Sequence, residues 1–234
     1  MELKISKRLL TVAALVPSCD TLADIGSDHG LLPLYLLREK KIRCAYCCDL
    51  RPGPLETAAK NIAAYGMRDR AMPLLGSGLS PVRGIPHDCA VIAGMGGETI
   101  AQILAEGEIS AGDRRVFVLQ PMSRANLLRE YLAESGFEIV DFALCEDAGH
   151  LYECLSVKKG VHVETDPLYL YINRPYGADG RLYARYVGRY RQRLEAALRG
   201  MAQSARPDPQ ETERLGGLLA QLNTLAEVLC EQPD

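Results

Sequence analysis

The run Asp24-x-Gly26-x-Asp28-x-Gly30 constrains this chain more than any other feature, because of what stands on either side of it. Before it, Thr21 to Ile25 reads as an apolar strand; after it, Leu31 to Lys40 reads as a helix. A strand that turns through two glycines into a helix is the ligand-binding corner of an α/β sheet. Gly26 permits a tight turn and close approach of a ligand, and Gly30 permits close packing of the helix.

The first 160 residues continue this alternation of strand and helix, which predicts a mostly parallel sheet covered by helices. Ser6 is placed to cap a short helix whose apolar stripe is Leu9, Val12, Ala13 and Val16. Ile42 to Cys48 reads as the second strand. Pro52 or Pro54 suits the first turn of the helix after it, with Leu55, Ala58, Ala59 and Ile62 inward. Further strands are expected at Ala71 to Leu75, at Cys89 to Ala93 (ending in Gly94-Met95-Gly96-Gly97), and at Arg115 to Leu119 (ending in Gln120-Pro121-Met122). Ser123 is read as the cap of a helix bearing Leu127, Leu128, Tyr131 and Leu132 on one face. Phe137 to Cys145 and Leu151 to Val157 pair as a hairpin about Asp147-Ala148-Gly149. Five βα steps and a closing antiparallel hairpin predict an α/β, Rossmann-like domain over residues 1–160. It resembles the class I methyltransferase architecture, as a fold-level analogy and not yet as a function.

After Gly160 the period changes. Tyr183, Val187, Tyr190, Leu194, Ala197 and Met201 recur at spacings of four and three, and Leu215, Leu218, Leu222, Leu225 and Leu229 do the same beyond Pro207-Asp208-Pro209. Residues 161–234 are therefore expected to form a C-terminal α-helical, coiled-coil-like hairpin domain.

Composition excludes several classes. The 234 residues are 47% hydrophobic and 24% charged, with no apolar run long enough for a membrane span and no signal-peptide pattern at the start. A cytoplasmic protein is the simplest reading. Eight cysteines raise the question of a metal, but Cys44, Cys47 and Cys48 fall in the second strand, and no partner pair has zinc-ligand spacing, so no metal is expected. The net charge of −3 does not advertise nucleic acid, although a local basic face is enough to bind it.

The chemistry of the opening run narrows the ligand. Asp49, at the end of the second strand, is placed to hold both hydroxyls of a ribose, and Asp24 to accept from a cationic ligand or to orient the loop. A dinucleotide site would carry glycine where Asp28 stands, because a carboxylate repels pyrophosphate. The same carboxylate suits the sulfonium and ammonium of S-adenosylmethionine. That charge argument disfavours a nucleotide-dependent oxidoreductase.

Longer strings carry a resemblance. Ala23 through Pro33, Ile92-Ala93-Gly94-Met95-Gly96-Gly97, Leu119-Gln120-Pro121, the opening Leu3-Lys4-Ile5-Ser6-Lys7-Arg8-Leu9 and the late Leu151-Tyr152-Glu153 closely resemble the bacterial tRNA (adenine-N1)-methyltransferases that modify adenine 22. The similarity covers residues 1 to 158, and a coiled-coil-like C-terminal domain is expected of that family. It implies S-adenosyl-L-methionine as cofactor and tRNA as partner. It also implies that Asp24, Gly26, Ser27 and Gly30 line the donor, with Asp49 on its ribose and Gly76-Ser77-Gly78-Leu79 facing the adenine ring. Ala93 and Gly94 fall beside the donor, and Met95 and Gly96 beside the target base, with His29, Gln120, Pro121 and Met122 on the substrate side. Two positions depart from the family pattern: Ser77, where Asp is frequent, and Met122, where Asn commonly follows Gln-Pro.

Plainer readings stand beside these. The Gly94, Gly96 and Gly97 cluster can serve only a sharp turn, Gln120 can satisfy backbone groups at the sheet edge, and His29 can cap the following helix. Adenine N1 already carries a lone pair, so the reaction needs alignment and charge stabilisation more than a general base. Asp28 is the candidate catalytic residue on that ground, as electrostatic partner of the methylated base. Arg181, Arg185, Arg189 and Arg193 recur every four residues on the first C-terminal helix, a stripe able to hold phosphates or simply a solvated face. Methylation of a small molecule or a protein, and an RNA-binding homologue without turnover, are the alternative functions. The oligomeric state is left open, a monomer being the simplest case.

Overall fold

The computed structural model describes residues 3–204 and 208–231. Seven strands form one sheet: β1 (Thr21–Ile25), β2 (Cys44–Asp49), β3 (Ala71–Leu75), β4 (Cys89–Gly96), β5 (Val116–Ser123), β6 (Phe137–Asp147) and β7 (His150–Lys159). Their spatial order is β3-β2-β1-β4-β5-β7-β6. The first five are parallel and β7 runs antiparallel to both neighbours. Parallel strands covered on both faces read as unbroken apolar runs. The first four residues of β4, Cys89-Ala90-Val91-Ile92, are all buried.

Helices α1 (Lys7–Leu15), α2 (Leu31–Arg38), α3 (Pro52–Ala64), α4 (Gly97–Glu106) and α5 (Ala125–Glu134) belong to this unit. The Ser6 hydroxyl caps α1 by accepting from the Leu9 amide at 3.2 Å, and Val12, Ala13 and Val16 are buried beneath it. Pro52 opens α3, which buries Ala58 and Ile62. Ile62 joins Val12, Ala13 and Val16 of the α1 region and Leu22, Leu34, Leu36 and Val118 in one apolar core. The order of strands reverses between β1 and β4, and the crevice beyond their C-terminal ends is where such a sheet holds a ligand.

The elements differ from expectation in a few places. β4 and β5 both run past their expected ends, pairing Met95 with Pro121 and Gly96 with Ser123 across register shifts. A shifted ladder accommodates a residue without an amide hydrogen, so Pro121 does not end β5. Ser123 is therefore a strand residue and caps nothing. Arg124, at φ 51, is the N-cap of α5 and makes no side-chain capping bond. Leu128 and Leu132 are buried in α5 as expected, Leu127 is exposed, and Arg129 is buried in a 2.6 Å ion pair with Glu153 of β7. Helix α4 and a 3-10 turn at Ser80–Val82 had no counterpart among the elements delimited from sequence. The β6–β7 hairpin turns at Ala148 (φ 50) and Gly149 (φ 78), the positive pair that matches strand twist.

After β7 the chain stays with the sheet for a few residues. The Gly160 amide donates to the Gly136 carbonyl and the His162 amide to Glu138. The chain divides between Glu164 and Thr165. The second unit holds α6 (Pro167–Tyr171), α7 (Gly180–Ala202) and α8 (Pro209–Glu231), of which α6 was not foreseen. α7 and α8 pack together, burying Tyr183, Tyr186, Val187, Tyr190 and Leu194 of the one and Leu215, Leu218 and Leu222 of the other. Toward the far end Ala197 is exposed, and Met201, Leu225 and Leu229 are only half-buried. Of the expected turn between these helices, Pro207 lies outside the described residues.

Candidate active site

The β1–α2 corner is fastened to β2 by its backbone. Gly26 and Ser27 both donate amide hydrogens to the Cys48 carbonyl, at 2.8 and 2.9 Å. Gly26 (φ 72) and Gly30 (φ 70) take the left-handed conformation that glycine adopts without strain. Asp28 takes it too (φ 52), and its amide donates to Asp49 Oδ2 at 3.2 Å. Asp49 Oδ1 accepts the Arg51 amide at 2.9 Å, so both oxygens of this buried carboxylate are oriented by backbone. Gly30 is itself the N-cap of α2, so His29 does not cap that helix. Its Nδ1 lies 3.0 Å from Asp28 Oδ2, and both side chains are more than half exposed.

Asp24 is the second buried acid of the site. Desolvation pushes its pKa from 3.8 up to about 6, the neighbouring Asp49 charge adds to the rise, and the hydrogen bond from Ser27 opposes it. Ser27 Oγ donates to Asp24 Oδ2 at 2.6 Å. A cation brought beside Asp24 would favour its ionised form.

These groups open into a cleft of about 530 Å³. Its walls include Asp24, Gly26, Ser27, Asp28, His29, Asp49, Ser77, Gly78, Ala93, Gly94 and Met95, which the sequence had nominated separately. Thr99, Gln102, Ile103 and Glu106 of α4 complete it, and none of these four was nominated from sequence. A Cβ on Gly26 would collide with the methyl carbon of Met95, and one on Gly78 would stand 3.3 Å from Ile103. The Met95 methyl ends a flexible side chain, so it is the positive φ of Gly26 that favours glycine at this turn.

Other nominated residues stand outside the cleft wall. Gly30 sits behind the turn, where an added Cβ would meet Ala58 at 3.3 Å. Gly96 ends β4, Pro121 is buried in β5, and Met122 is 51% exposed just beyond it. Gln120 is fully buried: its Oε1 accepts from the Gly94 amide (3.1 Å) and from Arg8 Nη1 (2.7 Å), while its Nε2 donates to the Pro121 carbonyl (3.0 Å). With its groups engaged inside the protein, it shapes the β4 end instead of lining the cleft. Arg8, which does line the cleft, was quoted only within the opening string and given no role. In the second unit Arg181, Arg185 and Arg193 are exposed. Arg189 is half-buried, with its guanidinium 5.7 Å from the Tyr190 ring. Among the described residues no three His, Cys, Asp or Glu side chains come together as a metal site.

A sheet in this order, with three carboxylates around a glycine turn at its switch point, defines a methyltransferase domain, and residues 5–155 match the family model of that description, "Methyltransferase domain". The chain is 35% identical over 159 residues to the tRNA (adenine(22)-N(1))-methyltransferase of Bacillus subtilis, covering 68% of this chain and 67% of that protein. Among solved structures it is similar to the B. subtilis tRNA methyltransferase TrmK, at 28% identity and TM-score 0.77 over 98% of this chain and 99% of that one. It is also similar to Streptococcus pneumoniae Sp1610 in complex with S-adenosyl-L-methionine, at 29% identity and TM-score 0.77 over 95% and 100%. The chain belongs to the tRNA (adenine(22)-N(1))-methyltransferase family.

Proposed function

We infer that this protein transfers a methyl group from S-adenosylmethionine to N1 of adenine 22 in tRNA. The observation that carries the reading is the acidic corner: buried Asp24 and Asp49 flank a turn that presents Asp28 at the mouth of a 530 Å³ cleft. The relatives named above, one an adenine-22 methyltransferase and one bound to the donor, support both halves of the reaction.

The residues fit the donor. Each oxygen of Asp49 already accepts one backbone amide and keeps lone-pair capacity for the ribose hydroxyls. Asp24 faces the cationic amino-acid end, with Ser27 holding its orientation. Gly76-Ser77-Gly78 offers close backbone approach to a planar ring, with Ile103 behind it. S-adenosylmethionine, when bound, supplies an electrophilic methyl group.

The protein's part is alignment and charge. Adenine N1 attacks with its own lone pair, so no side chain has to remove a proton first. The base becomes cationic, and Asp28 is placed to stabilise it or to accept from its amino group. Met95 and the exposed Met122 offer polarisable apolar surface for a base that has left its stack. The α7 stripe of Arg181, Arg185 and Arg193 supplies phosphate contacts. A tRNA-modifying role fits a cytoplasmic protein; separately, no described helix is long and apolar enough to cross a membrane.

Incubation of the purified protein with methyl-labelled donor and unmodified bulk tRNA tests the reading. Label recovered as 1-methyladenosine supports it; label in protein or small molecules, or none at all, contradicts it.

A further inference from the structure

Arg8 is a cation of the cleft wall whose placement the reading above leaves unused. Asp49 ends β2, on one side of β1, whereas Arg8 stands at the end of β4, on the other. Arg8 Nη1 is 3.6 Å from where a Cβ on Gly94 would be. With the ribose held at Asp49, the amino-acid portion of the donor extends toward β4. That portion is a zwitterion, and an ammonium beside Asp24 leaves a carboxylate in need of a cation.

Arg8 is prepared for that task in a way Arg51 and His29 are not. Its Nη1 donates to Gln120 at 2.7 Å, its backbone amide donates to Asp147 at 3.1 Å, and its guanidinium carbon lies 5.9 Å from the Tyr152 ring. Gln120 cannot swing away, because the Gly94 amide and the Pro121 carbonyl hold its two ends. A guanidinium has five N–H donors, and one held at Gln120 keeps others for a carboxylate. Arg51, by contrast, extends into solvent beside Asp49 with its side chain 72% exposed, and His29 pairs with Asp28.

We propose that Arg8 receives the α-carboxylate of the methyl donor, with Gln120 as the positioning residue that fixes the guanidinium at the β4 end. The proposal rests on the donor reading of the cleft. It goes further by assigning the carboxylate to a residue on α1 and to a buried amide on β5.

Calorimetric binding to the full-length protein separates the two ideas. The probes are S-adenosylhomocysteine and 5′-methylthioadenosine, which lacks the amino-acid portion. Arg8→Met weakens S-adenosylhomocysteine by roughly ten- to a hundredfold, the scale of a charge-assisted contact, and leaves 5′-methylthioadenosine within about twofold. Arg8→Lys recovers part of the loss. Gln120→Leu shifts the same ratio in the same direction, which a merely structural defect would not, since that weakens both ligands together. Should Arg8→Met not fold, wild-type protein with the methyl ester of S-adenosylhomocysteine shows the same loss. Equal weakening of both ligands by Arg8→Met, or undiminished binding of the ester, overturns the proposal. Failure of wild-type protein to bind either probe removes the donor reading itself, and the assignment of Arg8 with it.

Discussion

The Asp49 carboxylate accepts the Asp28 amide at 3.2 Å, so the acid assigned to the ribose also sets the turn that presents the acid assigned to the base. The two acids should therefore fail differently. Asp28 contributes to the turn through its backbone, and asparagine tolerates its positive φ better than alanine does. Asp28→Asn is expected to lower kcat by about a hundredfold or more while S-adenosylhomocysteine affinity stays within about threefold. Asp49→Ala, in contrast, loses donor affinity and turnover together. Comparable loss of donor binding in Asp28→Asn would place Asp28 in the donor pocket.

Asp24 gives the site a pH dependence. Its pKa is raised in the folded protein, from 3.8 to about 6, so the folded state holds this proton more tightly than the unfolded chain. The associated stability is present below about pH 4, declines as pH rises, and is gone above about pH 6. A shift of this size corresponds to about 3 kcal/mol, so Asp24→Asn should stabilise the ligand-free protein at pH 7.5 by up to that amount in urea melts. Cation binding requires the ionised acid, and S-adenosylhomocysteine should bind roughly tenfold more weakly at pH 5 than at pH 7.5. In Asp24→Asn that dependence should flatten and the affinity at pH 7.5 should fall. A rise in affinity at pH 7.5 would contradict the role given to Asp24.

Arg129 and Glu153 form a buried ion pair at 2.6 Å between α5 and β7. Removing one partner takes the ion-pair mate from the other charge, which stays buried. Arg129→Met alone should cost about 3–5 kcal/mol, measured as a loss of urea stability. The double variant with Glu153→Leu should recover most of it, because the desolvation penalty disappears with the second charge. A double variant no more stable than the single one would show that these side chains do more than pair.

On α7, Arg189 packs against Tyr190, while Arg181 and Arg185 are exposed. Charge reversal at Arg181 and Arg185 is thus the cleaner test of the phosphate stripe. It should weaken tRNA binding and flatten the dependence of log Kd on log salt by roughly one to two units. Unchanged affinity and slope would leave the stripe a solvated helix face.

Most of the cleft wall at the β1–α2 corner was legible in sequence because it is local. Ile25 through Leu31 carries its strand end, its glycines and its helix start within one short string, and Asp49 ends the next apolar strand. Hidden features depended on residues brought together from afar. Helix α4 begins at Gly97 without a polar cap to announce it, and glycine is needed there because a Cβ would strike the Arg124 carbonyl oxygen. The fifth strand was expected over Arg115 to Leu119, yet the shifted β4–β5 ladder carries it on through Pro121. Arg8 and Gln120 lie on α1 and β5, and no local period relates them. The partner of Arg129 likewise lies on a later strand, β7, so an arginine on α5 gave no sign that it would be buried.

Methylation of a single defined nucleotide tests the central claim most directly. Two transcripts of one tRNA are incubated with protein and labelled donor, one natural and one with adenine 22 replaced by guanine. Stoichiometric 1-methyladenosine at position 22 of the first, and background label in the second, is the predicted result. Equal labelling of both transcripts, or of neither, would contradict it.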